Sequence, residues 1–210
     1  MSCLQSIGPR LAILSYGRTG SVVLARNFGK EFNDLDPVPL THIIDQNYVI
    51  NLETPVEIIH SHLLPELPST YCKIFSIRPD VADCILSFIL SAHYQNYHQS
   101  LDYYEPFEFT DFRKIDYLCQ QFIHWHYNAE KLLDSSSYVV LYDQLTSKII
   151  QSAGSTNLIY KEKNKLIINW DQVTTCINKH KNKMEASLAK FQQHNNPKDI
   201  YQYIRHNFVF

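Results

Sequence analysis

Apolar positions along the chain fall into short continuous runs separated by longer stretches of helical period. Leu11-Ala12-Ile13-Leu14 has the pattern of a strand buried on both faces. It ends in the polar turn Ser15-Tyr16-Gly17-Arg18-Thr19-Gly20-Ser21, and a helical period follows from Val22 to about Phe32. A second strand is expected over Val56–His60, stopped by Ser61-His62-Leu63-Leu64-Pro65, and a third over Cys72–Ile77. The third ends at Arg78, with Pro79 suited to the first turn of a helix running from Asp80 to about Tyr94. Asn96 to Phe112 is Tyr-rich and acidic and reads as a surface loop, ahead of an amphipathic helix over about Asp116–Leu133. Ser135-Ser136-Ser137 breaks the chain before a fourth strand, Tyr138–Tyr142. Leu158-Ile159-Tyr160 and Leu166-Ile167-Ile168 predict a short hairpin across a lysine-rich turn. Trp170 to about Gln193 predicts one helix, and Asp199–His206 a last short one.

Strands alternating with helices predict an α/β domain with a parallel sheet covered on both faces. In such sheets ligands bind outside the carboxyl ends of the strands. The strands ending at Ser15, His60 and Arg78 all run into polar motifs, so the expected site lies there.

Composition narrows the function. The chain has 210 residues, 45% of them hydrophobic, which suits one domain over 1–210 with a sizeable core. Within it, 1–145 is the motif-bearing core and 146–210 a helical C-terminal part. The formal net charge is −2, so no global field favours nucleic acid or an anionic membrane, and an anionic ligand needs local positive groups. The 5 cysteines are scattered without a C-x-x-C pair, which argues for reduced, mostly buried thiols rather than a zinc site or a disulfide framework. The first ten residues lack a signal-peptide apolar region, and no run approaches the roughly 20 residues that span a bilayer. The expectation is a cytoplasmic protein.

The turn at 16–21 has the makings of a phosphate loop. Helix N-terminal amides and the helix dipole attract anions. Gly17 and Gly20 permit close backbone approach, Arg18 adds a forked cation, and Thr19 and Ser21 add hydroxyls. The Walker spacing G-x-x-x-x-G-K-[ST] is absent. Tyr16-Gly17-Arg18-Thr19-Gly20-Ser21-Val22 instead resembles the Y-P-K-S-G-T-T loop of sulfotransferases that use 3′-phosphoadenosine-5′-phosphosulfate (PAPS). Arg18 falls on the basic position, Gly20 on the glycine and Ser21 on the first hydroxyl, while Val22 departs at the second. Val23 replaces the aromatic that often stacks near adenine in cytosolic members.

Three further segments follow the family's order over about Leu11 to Leu145. Arg78 to Ser87, a nine-residue step, resembles R-R-x-L-x-x-Q-x-x-S, whose Arg and Ser hold the 3′-phosphate; an alternative register puts Cys84 at the serine position. His60-Ser61-His62-Leu63-Leu64-Pro65 resembles K-T-H-L-P, which makes His62 the matched catalytic base, with His60 on the same strand face as its rival. Tyr142-Asp143-Gln144-Leu145 resembles the structural Y-E-D-L segment. The cofactor-closing R-K-G-x-x-G-D-W-K segment has no counterpart, and Lys161, Lys163 and Lys165 read as a solvated turn. In His124-Trp125-His126 the histidines face different directions, which favours packing over metal binding.

The resemblance implies a single-domain, three-layer P-loop-like fold with a central parallel sheet of about four to five strands flanked by helices. It implies sulfuryl transfer from PAPS to a hydroxyl or amine of a small-molecule or carbohydrate acceptor, without metal, nucleic acid or membrane. His62 would accept the proton and Arg18 would stabilise the transferring group. Gly17, Arg18, Thr19, Gly20 and Ser21 would hold the 5′-phosphate, and Arg78 and Ser87 the 3′-phosphate. The alternatives are a nucleotide-binding protein of this fold without activity and a P-loop-like nucleotide kinase. Tyr97, Tyr103, Tyr104 and Phe107 read equally as an acceptor wall or as a packed surface loop.

Overall fold

The computed structural model describes residues 10–25, 28, 40–43, 58–67, 71–95, 104–135, 137–144 and 162–196. Five strands, β1 (Arg10–Leu14), β2 (Leu40–Ile43), β3 (Ile58–Ser61), β4 (Tyr71–Ile77) and β5 (Tyr138–Leu141), form one sheet in the order β2-β3-β1-β4-β5. Every pairing is parallel; Ile13 of β1 lies beside His60 of β3 and Ile74 of β4. The chain leaves β1 for one side of the sheet and returns to its other side at β4. The carboxyl end of β1 is therefore the point where connections diverge, which is where an open parallel sheet leaves a crevice.

β1 is buried along its whole length, and its alternation feeds two cores. Leu11 and Ile13 pack with Ile58, Cys72, Ile74 and with Leu24, Ala25 and Phe28 of helix α1, which is described at residues 21–25 and 28. Ala12 and Leu14 face the opposite core with Ile59, Phe75, Ile77 and helices α2 (Val81–His93) and α3 (Phe112–Glu130). The helices α5 (Trp170–Asn178) and α6 (Lys181–Gln192) add Val173, Ile177, Met184, Leu188 and Phe191 to that second core. Between them and β5 comes the short helix α4 (Lys163–Leu166). No helix among the described residues is long and apolar enough to cross a membrane.

Several expectations shift. β2 was not anticipated, because its four residues, Leu40-Thr41-His42-Ile43, carry no apolar alternation and Pro37 and Pro39 precede them. The α2 cap is Asp80, whose side chain accepts from Asp83 N, so Pro79 lies outside the helix rather than in its first turn. α3 starts at Phe112, not Asp116, since Asp111 caps it by accepting from Lys114 N. Leu166–Ile168 is no hairpin arm: α4 ends at Leu166, and Ile167 forms a lone parallel bridge with Phe107. The helix expected from Trp170 to Gln193 is two helices, parted where His180 Nε2 meets Asp116 Oδ1 at 2.8 Å. Leu158–Tyr160 and Asp199–His206 lie outside the described residues.

His126, on α3, is fully buried among the rings of Phe122, Trp125, Phe191 and Tyr16. Its Nδ1 donates to Phe122 O at 2.7 Å, and Nε2 has no hydrogen-bond partner among the described residues. Burial pulls its pKa down from 6.5 to about 4. Below pH 6.5 the unfolded chain takes up a proton that the folded chain refuses, so stability falls as pH drops toward 4. From pH 7 to pH 5 this group should cost about 2 kcal/mol. His126→Phe should remove that part of the loss, read as the change in urea-unfolding free energy between the two pH values. An identical pH dependence in wild type and variant would contradict the assignment.

Candidate functional site

At the end of β1 the chain turns sharply. Gly17, Arg18 and Gly20 have φ of 115°, 54° and 76°, and the helical hydrogen bond Leu24 N to Gly20 O opens α1. What fixes this loop is a wall supplied by β4 and α2. Cys84 Sγ donates to Gly17 O at 3.7 Å, Arg78 Nη1 to Arg18 O at 2.9 Å and Ser76 Oγ to Thr19 O at 2.7 Å. Burial pushes the Cys84 thiol up to about 11, so it stays a neutral S–H donor. In a trans peptide the N–H points opposite to its C=O. Three carbonyls turned toward the wall therefore turn the amides of Arg18, Thr19 and Gly20 away from it. Successive amides presented this way form an anion-binding concavity.

Two more contacts hold the loop's entrance. Tyr16 donates to Leu118 O at 2.9 Å and packs edge-on to Phe88 and Phe122, with ring centroids 5.1 and 5.2 Å away. Burial raises its phenol pKa well above the ordinary value. A Cβ on Gly17 would sit 2.7 Å from Phe88 Cζ and 3.5 Å from His62 Cε1, so glycine is required there and the His62 ring lies against the loop.

The two histidines of β3 and its exit are joined by a hydrogen-bonded chain. His62 Nδ1 is 3.0 Å from Ser15 O and 3.1 Å from Ser15 Oγ. A carbonyl only accepts, so Nδ1 carries the proton and the accepting lone pair of the neutral ring is on Nε2. Ser15 Oγ donates to Ser21 Oγ at 3.0 Å, and Ser21 Oγ lies 2.7 Å from His60 Nε2. His60 is buried and His62 exposed, with ring centroids 4.8 Å apart. Trp125 Nε1 donates to His62 O at 2.8 Å and fixes the backbone as it leaves the strand.

Arg78, part of this wall, also belongs to a basic cluster. The Arg78 guanidinium stacks over the Tyr142 ring at 4.3 Å, and Nη1 also donates to Ser87 Oγ at 3.2 Å. Ser87 Oγ accepts as well from Lys163 Nζ at 2.8 Å. Both cations pair with the carboxylate of Asp83. Burial, then repulsion from Arg78, pushes the Lys163 ammonium down to about 7.

No family model and no curated protein matches the chain.

Gly17, Arg18, Thr19 and Gly20 form the loop, with His62 against it and Arg78 linking it to Ser87. The side chains of Thr19 and Ser21 turn inward: Thr19 Oγ1 is buried with no hydrogen-bond partner among the described residues, and Ser21 is committed to Ser15 and His60. Of the two alternatives, Ser87 meets Arg78, while Cys84 holds Gly17 O. Lys163 was expected in a solvated turn and is instead in the cluster, 80 residues from its partner Asp83. No local pattern distinguishes it from Lys161 or Lys165; only the tertiary fold does. Asp83 was overlooked because an acid in a helix's first turn reads as dipole compensation. Tyr142, expected to be only structural, forms the face on which Arg78 lies. Phe107 stacks on His93 and Tyr104 packs on Tyr94; Tyr97 and Tyr103 lie outside the described residues. His124 is exposed and His126 buried, and no metal-holding group of three His, Cys, Asp or Glu occurs among the described residues.

Gly17→Ala should cost about 1–3 kcal/mol from its positive φ alone, with further loss from the Phe88 clash. Adding Phe88→Ala should relieve only the clash. Unchanged stability of Gly17→Ala in urea unfolding would refute the loop conformation.

Proposed function

We propose that the chain is a sulfotransferase that moves a sulfuryl group from PAPS to a hydroxyl or amine acceptor. The observation that carries this reading is the loop at the end of β1. Its amides at Arg18, Thr19 and Gly20 are turned away from a protein wall that holds the matching carbonyls. A basic cluster, Arg78 with Ser87 and Lys163, is joined to the same loop through Arg18 O. Two linked anion sites suit a nucleotide phosphorylated at both the 5′ and 3′ positions. The strand–loop–helix at the central strand and the diverging connections also suit a P-loop-like arrangement, and a small-molecule or carbohydrate acceptor fits the implied chemistry.

In this reading the loop amides hold the 5′-phosphate and the arginine cluster holds the 3′-phosphate. The acceptor oxygen or nitrogen attacks sulfur as the bond from sulfur to the bridging oxygen breaks, and the bisphosphate nucleotide leaves. His62 takes the acceptor proton at Nε2, because Nδ1–H is committed to Ser15. Arg18 offsets charge on the transferring group and the bridging oxygen. Ser21 serves through its backbone, its hydroxyl being engaged with His60.

A non-catalytic nucleotide-binding protein is the second reading, favoured by the missing cofactor-closing segment. Turnover distinguishes the two. A nucleotide kinase would instead respond to Mg-ATP.

3′-Phosphoadenosine-5′-phosphate at 100 times its dissociation constant should stabilise the chain by about 2.7 kcal/mol, a shift of about 5–10 °C in Tm. Arg78→Ala should abolish that shift, and Mg-ATP should produce none. A response to Mg-ATP alone, or to neither nucleotide, would overturn the nucleotide assignment. His62→Ala should lower turnover ~10²–10⁴-fold with the nucleotide shift retained. Unchanged turnover would move the base to His60, Glu53 or Glu57.

A further inference from the structure

The Arg78 and Lys163 side chains converge on one carboxylate. Asp83 Oδ2 pairs with Arg78 Nη2 and Asp83 Oδ1 with Lys163 Nζ, while Ser87 Oγ bonds both cations at 3.2 and 2.8 Å. Two cations on separate oxygens of one acid, with a hydroxyl between them, is the donor set that a phosphomonoester uses. The carboxylate stands where such a group would bind.

Arg78 and Lys163 both pair with Asp83, and both are mostly buried, at 11% exposed. Asp83 is 30% exposed, so the anion is the member nearest solvent and the one able to leave without unburying a cation. Burial and then Arg78 push the Lys163 ammonium down to about 7, so added negative charge beside it favours its charged form. A phosphomonoester brings about −1.5 to −2 charges at neutral pH and three acceptor oxygens. It would satisfy the pair better than Asp83 does. Ring stacking on Tyr142 keeps the Arg78 guanidinium in place when its carboxylate partner departs.

We propose that Lys163 completes the phosphomonoester subsite with Arg78 and Ser87, and that Asp83 is a built-in counter-anion which the ligand's 3′-phosphate displaces on binding. The inference rests on the sulfotransferase reading for the identity of that phosphate. Asp83 then sets specificity: a ligand without a 3′-phosphate cannot displace it and gains nothing from the cluster.

The test is calorimetric titration of wild type, Asp83→Asn and Lys163→Gln with 3′-phosphoadenosine-5′-phosphate and with AMP, which lacks only the 3′-phosphate. Asp83→Asn should bind the bisphosphate about tenfold more tightly and AMP unchanged; Lys163→Gln should bind the bisphosphate about tenfold more weakly. Wild-type binding of the bisphosphate with equal or weaker affinity in Asp83→Asn would overturn the exchange and leave the sulfotransferase reading standing. Equal affinity in Lys163→Gln would remove Lys163 from the subsite, and that variant decides the matter if Asp83→Asn fails to fold. Absence of bisphosphate binding by all three chains would overturn the sulfotransferase reading and the subsite together.

Discussion

Three hydrogen bonds from β4 and α2 to the carbonyls of Gly17, Arg18 and Thr19 are the constraint on which the site depends. They settle which way each peptide plane of the loop faces. Without them, the glycine-containing turn after β1 would have many conformations, and holding its amides together would cost the conformational entropy of several residues at binding. With them, that entropy is already spent during folding, when Ser76, Arg78 and Cys84 reach the loop as part of sheet and helix formation. Rigid elements thus orient a loop that has little apolar surface of its own to bury. The positive φ at Arg18, uncommon for a residue with a side chain, persists because the wall over-determines it.

Electrostatics follow the same economy. A net charge of −2 gives no general attraction for an anion, so positive charge is concentrated and partly desolvated at one place. Exposed pairs such as Lys165–Glu162 and Lys181–Glu185 contribute roughly 0–1 kcal/mol each. The Arg78–Asp83–Lys163 cluster differs because its cations lie mostly out of water, where each charge needs a partner. The Asp83 carboxylate supplies that partner. On the other flank, the chain His62–Ser15–Ser21–His60 gives an exposed imidazole a defined tautomer and anchors it to a buried one.

Much of the layout was legible in the sequence. β1 is nearly all apolar and β4 mostly so because parallel strands bury both faces, and each runs into a polar residue, Ser15 or Arg78, at the carboxyl edge of the sheet. Gly17, with its positive φ and its contact to Phe88, shows why a glycine stood in the turn. The strand ends at Ser61, before His62, so strand alternation does not reach it; the two rings meet edge-on all the same, with His60 buried and His62 exposed. Other features carried no local signal. β2 is too short for alternation to reveal, and Lys163 sits in a lysine-rich run where any member looks solvated. The inward turn of Ser21 depends on Ser15 and His60 meeting it from other segments, a tertiary fact. The division of α5 from α6 likewise falls where His180 meets Asp116 on α3, a contact between distant segments.

The most direct measurement is an ¹⁵N–¹H NMR titration with 3′-phosphoadenosine-5′-phosphate, following each backbone amide. A phosphate accepting from the loop should move the Arg18, Thr19 and Gly20 amide protons downfield together, with smaller changes around Arg78 and Ser87. Saturation with those three amides unmoved would show that the loop does not bind the nucleotide and would contradict the account.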